Sequence, residues 1–111
     1  MLEFNRDNII AIEVRGKEWW DKLNGNSYWA SVVTLTDSDH KTHVFSIEFQ
    51  YGYGDFYIQQ SVKTLKELRY IDDCDQPRSQ GVYSGGRRIV WTTSMQTGCK
   101  KRDVVAWGKD D

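Results

Sequence analysis

Proline occurs once in these 111 residues, and histidine and cysteine twice each. One Pro, together with a 28% share of charged residues of both signs, leaves no stretch with the composition of a disordered linker. No apolar run approaches the roughly 20 residues that cross a bilayer as a helix. The amino terminus, MLEFNRDN, lacks the basic start and apolar stretch of a secretory signal, so a cytoplasmic location is expected. Cys74 and Cys99 are then thiols; they form no CxxC pair, and neither has the local surroundings of a nucleophile. His40 and His43 make an HxxH that flanks a predicted hairpin turn with no third ligand nearby, so no metal site is expected. Asp72, Asp73 and Asp75 cluster in a loop, where solvated charge is commoner than acid–base work. With no catalytic signature and no cofactor motif, a non-enzymatic protein without a cofactor is the expectation.

What the chain does have is rings and an uneven charge. Aromatic residues make up 14%, with five Trp and six Tyr, and these bury large areas each. A mass of 13.0 kDa suits one core, so residues 1–111 form a single domain. The net charge of -1 conceals a split: residues 1–75 hold 8 Lys+Arg against 13 Asp+Glu (-5), and residues 76–111 hold 7 against 3 (+4). A basic tail of this kind attracts an anionic ligand or docks on the acidic half of its own or a neighbouring chain. Overall acidity argues against long duplex DNA, which wants a continuous basic face.

Period-two alternation predicts three strands. In NIIAIEV, Ile10, Ile12 and Val14 share one face. RGKEWWDKLNGN reads as a long ordered connection ending in a reversing Asn-Gly-Asn. SYWASVVTLT and THVFSIEF give the second and third strands, the latter with His43, Phe45, Ile47 and Phe49 on one side. From Asp55 the spacing changes to three and four, with Ile58, Val62, Leu65 and Leu68 as the apolar stripe of a helix. DDCDQPRSQG is a loop, and RRIVWTTSM and KKRDVVAW read as a second hairpin around QTGC. The predicted fold is α+β: an antiparallel β-meander with one amphipathic helix packed on the sheet and a C-terminal β-hairpin, in the order β-β-β-α-β-β.

FQYGYGDFY, between the third strand and the helix, carries two glycines and four rings of Phe and Tyr besides Phe49. Strand, Gly-x-Gly and helix start suggest a phosphate cradle, but Asp55 would occupy and repel at the donors a phosphate needs, and neither the third fingerprint glycine nor a P-loop Lys is present. The turn-forming reading has Asp55 as N-cap, Phe49 and Phe56 in the core, and the hydroxyls of Tyr51, Tyr53 and Tyr57 near water. Three tyrosines exceed what a turn needs and also suit a contact with another molecule. In the tail, Arg87, Arg88, Lys100, Lys101 and Arg102 are interleaved with Trp91 and Trp107, which fits cations for phosphate and flat rings for bases. A hairpin would set Arg87 and Arg88 at its open end and Lys100 to Arg102 near its turn, so only oligomerisation would unite them.

NGNSYWASVVTL and VFSIEFQYGYGDFYIQQSVKTL, within Asn24 to Leu65, resemble a group of small bacteriophage-encoded proteins of unassigned role. In size, strand order and single helix the chain resembles, more loosely, phage counter-defence proteins such as the oligomeric Thoeris anti-defence proteins, which trap nucleotide-derived immune signals. The resemblance implies a binding protein in an infected bacterial cell that works as a homo-oligomer. The expected ligand-binding set is Tyr51, Tyr53, Arg87, Arg88, Trp91, Lys100 and Arg102 at a subunit boundary. The alternatives are inhibition of a host defence complex, such as a CRISPR effector, by acidic nucleic-acid mimicry, and nucleic-acid binding through the tail.

Overall fold

Asp21 and the residues that follow it set the first reversal of the chain. The computed structural model describes residues 8–54, 56–71, 82–84 and 87–107. β1 (Ile9–Asp21) and β2 (Asn26–Asp37) are paired antiparallel all the way to Asp21↔Asn26. The Asp21 carboxylate accepts from Leu23 N at 3.1 Å and from Asn24 Nδ2 at 2.8 Å, and Gly25 N donates to Asp21 O at 2.8 Å. The stretch expected to be a long connection is therefore mostly strand, closed by a tight turn. Charge hid the alternation: Arg15, Lys17 and Trp19 share one face, and Gly16, Glu18 and Trp20 the other.

β3 (Thr42–Tyr51) pairs antiparallel with β2 through a turn in which Asp37 Oδ1 accepts from Asp39 N and Lys41 N, both at 2.9 Å. The three-stranded meander is present. It is one side of a mixed five-stranded sheet of order β3-β2-β1-β5-β4, in which β5 (Arg87–Gln96) runs parallel to β1 with Ile12 beside Trp91 and Gly16 beside Met95. The expected C-terminal hairpin is corrected on this point. The partner of β5 on its outer side is β4 (Val82–Ser84), and residues 101–105 form a helix, α2 (Lys101–Val105). With both sides of β5 taken, KKRDVVAW has no strand to join. Its Lys101, Val104 and Trp107 recur every three residues and fall on one side of a helical turn.

α1 (Phe56–Glu67) covers one face of the sheet. Beneath it lie Ile12, Val14, Trp29, Val33, Leu35, Ile47, Ile89 and Trp91, each at most 8% exposed. Ile58, Val62 and Leu65 of the expected stripe do pack on the core, joined by the buried Tyr57 and Ser61, whereas Leu68, beyond the helix, is 45% exposed. Tyr57, expected to keep its hydroxyl near water, is a core residue at 6%. The helix ends on a Schellman pair, Tyr70 N to Leu65 O at 2.9 Å and Arg69 N to Lys66 O at 3.1 Å, with Arg69 at φ 62 where glycine is usual. Asp55, the expected N-cap, lies outside the described residues.

Two irregularities move side chains between faces. A register shift between Ile9 and Ala11 sends Ile9 into the core and leaves Ile10 38% exposed. A second shift between Trp29 and Ser31, opposite residues 47–50, puts Phe49 on the face away from α1, where its ring stacks on Tyr28. The core placement expected for Phe49 is corrected accordingly. Phe56 does pack against the core.

Candidate functional site

The sheet face opposite α1 collects what the core does not use. Trp19 and Tyr28 are cross-strand neighbours with ring centroids 5.4 Å apart, Tyr28 lies 5.2 Å from Phe49 and 5.8 Å from Tyr51, and Tyr51 meets Tyr53 edge-on at 5.3 Å. These rings stand against one another, so most of their faces are spent within the row. A base or sugar finds free ring surface only towards the ends, where Tyr51 and Tyr53 are 53% and 48% exposed.

Both glycines of the opening motif have local causes. A Cβ on Gly52 would collide with the Phe56 ring and lie 2.6 Å from Trp29 Nε1, so two rings pack where only glycine fits, while Gly54 takes φ 54 ahead of α1. Gly52 N donates to Ser27 O at 3.1 Å, and Tyr53 Oη donates to Gly25 O at 3.1 Å. The Asn-Gly-Asn turn and the YGYGD connection, far apart in sequence, thus brace each other. Hydrogen bonding with Tyr53, then desolvation, raises the Tyr51 phenol above its ordinary range. Asp21 is shifted the other way: the Asn24 side chain holds its carboxyl below the ordinary value against the effect of burial, with the Asn24 and Leu23 amides and then Lys101 adding to this.

α2 lies across this face, anchored by Val104, which is fully buried. Cys99 N donates to Glu18 O at 3.1 Å, and Trp107 Nε1 donates to Arg15 O at 3.1 Å, tying the segment to β1 on both sides of the helix. Each tie carries a cation over a ring. Lys101 Nζ is 5.3 Å from the Trp19 centroid; Lys17 Nζ is 4.1 Å, and the Arg15 guanidinium 5.6 Å, from that of Trp107. Arg15 also meets Glu13 at 3.3 Å. Two open grooves flank the helix. One, of about 460 Å³, is lined by Arg15, Lys17, Ser94, Gln96 and Trp107; the other, of about 480 Å³, by Trp19, Trp20, Lys22, Lys100 and Lys101.

Of the residues expected at a ligand site, Tyr51, Tyr53 and Lys100 are exposed and belong to this side of the molecule. Arg102 is exposed on α2, two residues from Val104 and so turned away from the sheet. Trp91 is corrected: it is 5% exposed, in the core under α1, and its ring is used in packing. Arg87 and Arg88 begin β5, about 30 Å of strand away from its Gln96 end, and their side chains lie outside the described residues. The residues missed are Lys17, Trp19, Tyr28 and Phe49; extending the alternation of β1 past Val14 would have placed Lys17 and Trp19 on one face. Cys99 donates to Gln96 O at 3.4 Å, and Cys74 lies outside the described residues. Among the described residues no group of three His, Cys, Asp or Glu is placed to hold a metal, and no helix is long and apolar enough to cross a membrane. No protein-family model matches the chain, nor does any curated protein or solved structure.

Proposed function

We propose that this protein works by binding, holding an anionic, ring-bearing small molecule of the nucleotide class in the grooves beside α2. The carrying observation is the pair of cation-over-ring arrangements, Lys17 with Trp107 and Lys101 with Trp19, each lining an open groove. A lysine that rests on an indole is restrained at little entropic cost and keeps donors for a phosphate, while the indole edge and the Ser94 hydroxyl and Gln96 amide offer sites for a sugar or base. Lys17, Lys100 and Lys101 in the place of paired acids favour retention of an anion over bond cleavage. The resemblance of the Asn24 to Leu65 region to phage proteins supplies the setting: a counter-defence protein in an infected bacterial cell that sequesters a nucleotide-derived immune signal without acting on it.

Calorimetric titration with ADP-ribose and a set of cyclic mono- and dinucleotides tests this reading. One ligand class should bind with an affinity that weakens as salt rises. Absence of heat with every nucleotide at low salt overturns it. A stoichiometric host protein recovered from bacterial lysate in place of any small molecule would favour complex inhibition.

A further inference from the structure

The turn between β1 and β2 carries an aliphatic side chain into water at one end of the molecule. Leu23 is 95% exposed, more than any other large apolar residue described. The backbone beneath it is braced from two sides: the Asp21 carboxylate accepts from Leu23 N and Asn24 Nδ2, and the Gly25 carbonyl accepts from the Tyr53 hydroxyl. A leucine on so fixed a backbone needs little further ordering when something else buries it. Beside it stand side chains that prefer the boundary between water and hydrocarbon. Trp20, in the next-to-last pair of the hairpin ladder, is 46% exposed; Tyr53 and Tyr51, edge-on to one another, are 48% and 53% exposed. Lys22 adjoins Leu23 in the chain and lines the second groove with Trp20 and Lys100, a lining that holds no acid. Asp21, the one acid from Trp19 to Tyr28, is buried and used by the turn. The turn at the other end of β2 has none of this character, since Ser38, Asp39, His40 and Lys41 are all polar.

We propose that this end of the molecule docks on an anionic lipid bilayer, with Leu23 and Trp20 entering the acyl boundary, Tyr51 and Tyr53 at the level of the headgroups, and Lys22 and Lys100 against the lipid phosphates. Two features favour a lipid surface over other occupants. An aliphatic side chain on a projecting turn gains nothing from a nucleotide, which has no acyl chain to bury it, whereas a bilayer closes around a convex tip. Exposed lysines beside that tip gain from a surface dense in phosphodiesters, and their long apolar stems lie along the same boundary. The apolar and electrostatic contributions act on the same residues, so neither alone accounts for a leucine flanked by lysine and tryptophan. This docking stands apart from the nucleotide reading, because Leu23 lines neither groove beside α2.

Co-sedimentation of the wild type with vesicles tests this. The protein should pellet with mixed phosphatidylglycerol and phosphatidylcholine at low salt, less so as salt rises, and stay in solution with phosphatidylcholine alone. Leu23→Ser, with its fold verified by circular dichroism, should weaken vesicle binding about tenfold. Lys22→Ala should weaken it about fivefold. Should either variant fail to fold, the wild type decides through lipids with brominated acyl chains, which should quench tryptophan emission if the tip enters the bilayer. Failure to pellet with the anionic vesicles at low salt, Leu23→Ser binding as tightly as wild type, or pelleting without quenching, the mark of phosphate contact alone, overturns the proposal.

Discussion

Gly52 has no room for a methyl group. The atom that a Cβ would meet at 2.6 Å belongs to a fully buried indole, Trp29, itself held between Phe56 and Tyr57 at 6.1 and 6.3 Å. Gly52→Ala should therefore cost about 1–3 kcal/mol through displacement of the indole and of the Phe56 ring, which lies closer still. Gly54→Ala, which meets open space but sits at φ 54, should cost about 1 kcal/mol through backbone strain. Urea unfolding of the two variants measures both, and equal costs would contradict the packing role given to Gly52. Asp21 gives a pH signature. Its folded carboxyl is held below the ordinary value of 3.8, so its contribution to stability is complete above that pH and is lost as pH falls through the lower folded value. Asp21→Ala should melt lower than wild type at pH 7, and the gap should close below about pH 3.8 in melts followed by circular dichroism. Turn chemistry of this kind was legible in Asn-Gly-Asn and YGYGD, but the packing at Gly52 was only half so, because of the two rings that crowd it Phe56 is four residues away and Trp29 is 23.

At the scale of elements, patterning named most strands and misplaced what depended on register. The charges after Val14 break the apolar rhythm and make β1 look finished there, although its alternation continues to Asp21. Phe49 and Ile10 changed faces through single-residue irregularities, which leave no mark in a period-two count. Val104, Val105 and Trp107 are β-formers and favour a strand in the sequence; α2 forms instead, with Val104 fully buried, because both sides of β5 are already paired. Val104→Ala should cost about 2 kcal/mol and loosen the helix, shifting tryptophan emission to the red as Trp107 gains water. At the end of α1, Arg69 occupies a left-handed position at φ 62. Arg69→Gly should stabilise the protein by about 0.5–1 kcal/mol in chemical denaturation, despite the extra freedom glycine gives the unfolded chain.

For the molecule as a whole, the fold divides its aromatic content by face. Trp29, Tyr57 and Trp91 fill the core beneath α1, while Trp19, Tyr28, Phe49, Tyr51 and Tyr53 form a row on the other side, with α2 carrying the basic tail towards it. The charge split in the sequence marks the tail as basic and the rest as acidic. It did not show which cations would stand over which rings, because Lys17 and Trp107 are 90 residues apart in the chain. In the proposed function these pairings hold a nucleotide-class anion. The most direct measurement is calorimetric titration of whichever nucleotide binds the wild type against Lys17→Ala and Lys101→Ala, each with its fold verified by circular dichroism. At least a tenfold loss of affinity is expected in one of the two, about 1.4 kcal/mol, together with a shallower dependence on salt. Unchanged affinity in both variants would contradict it.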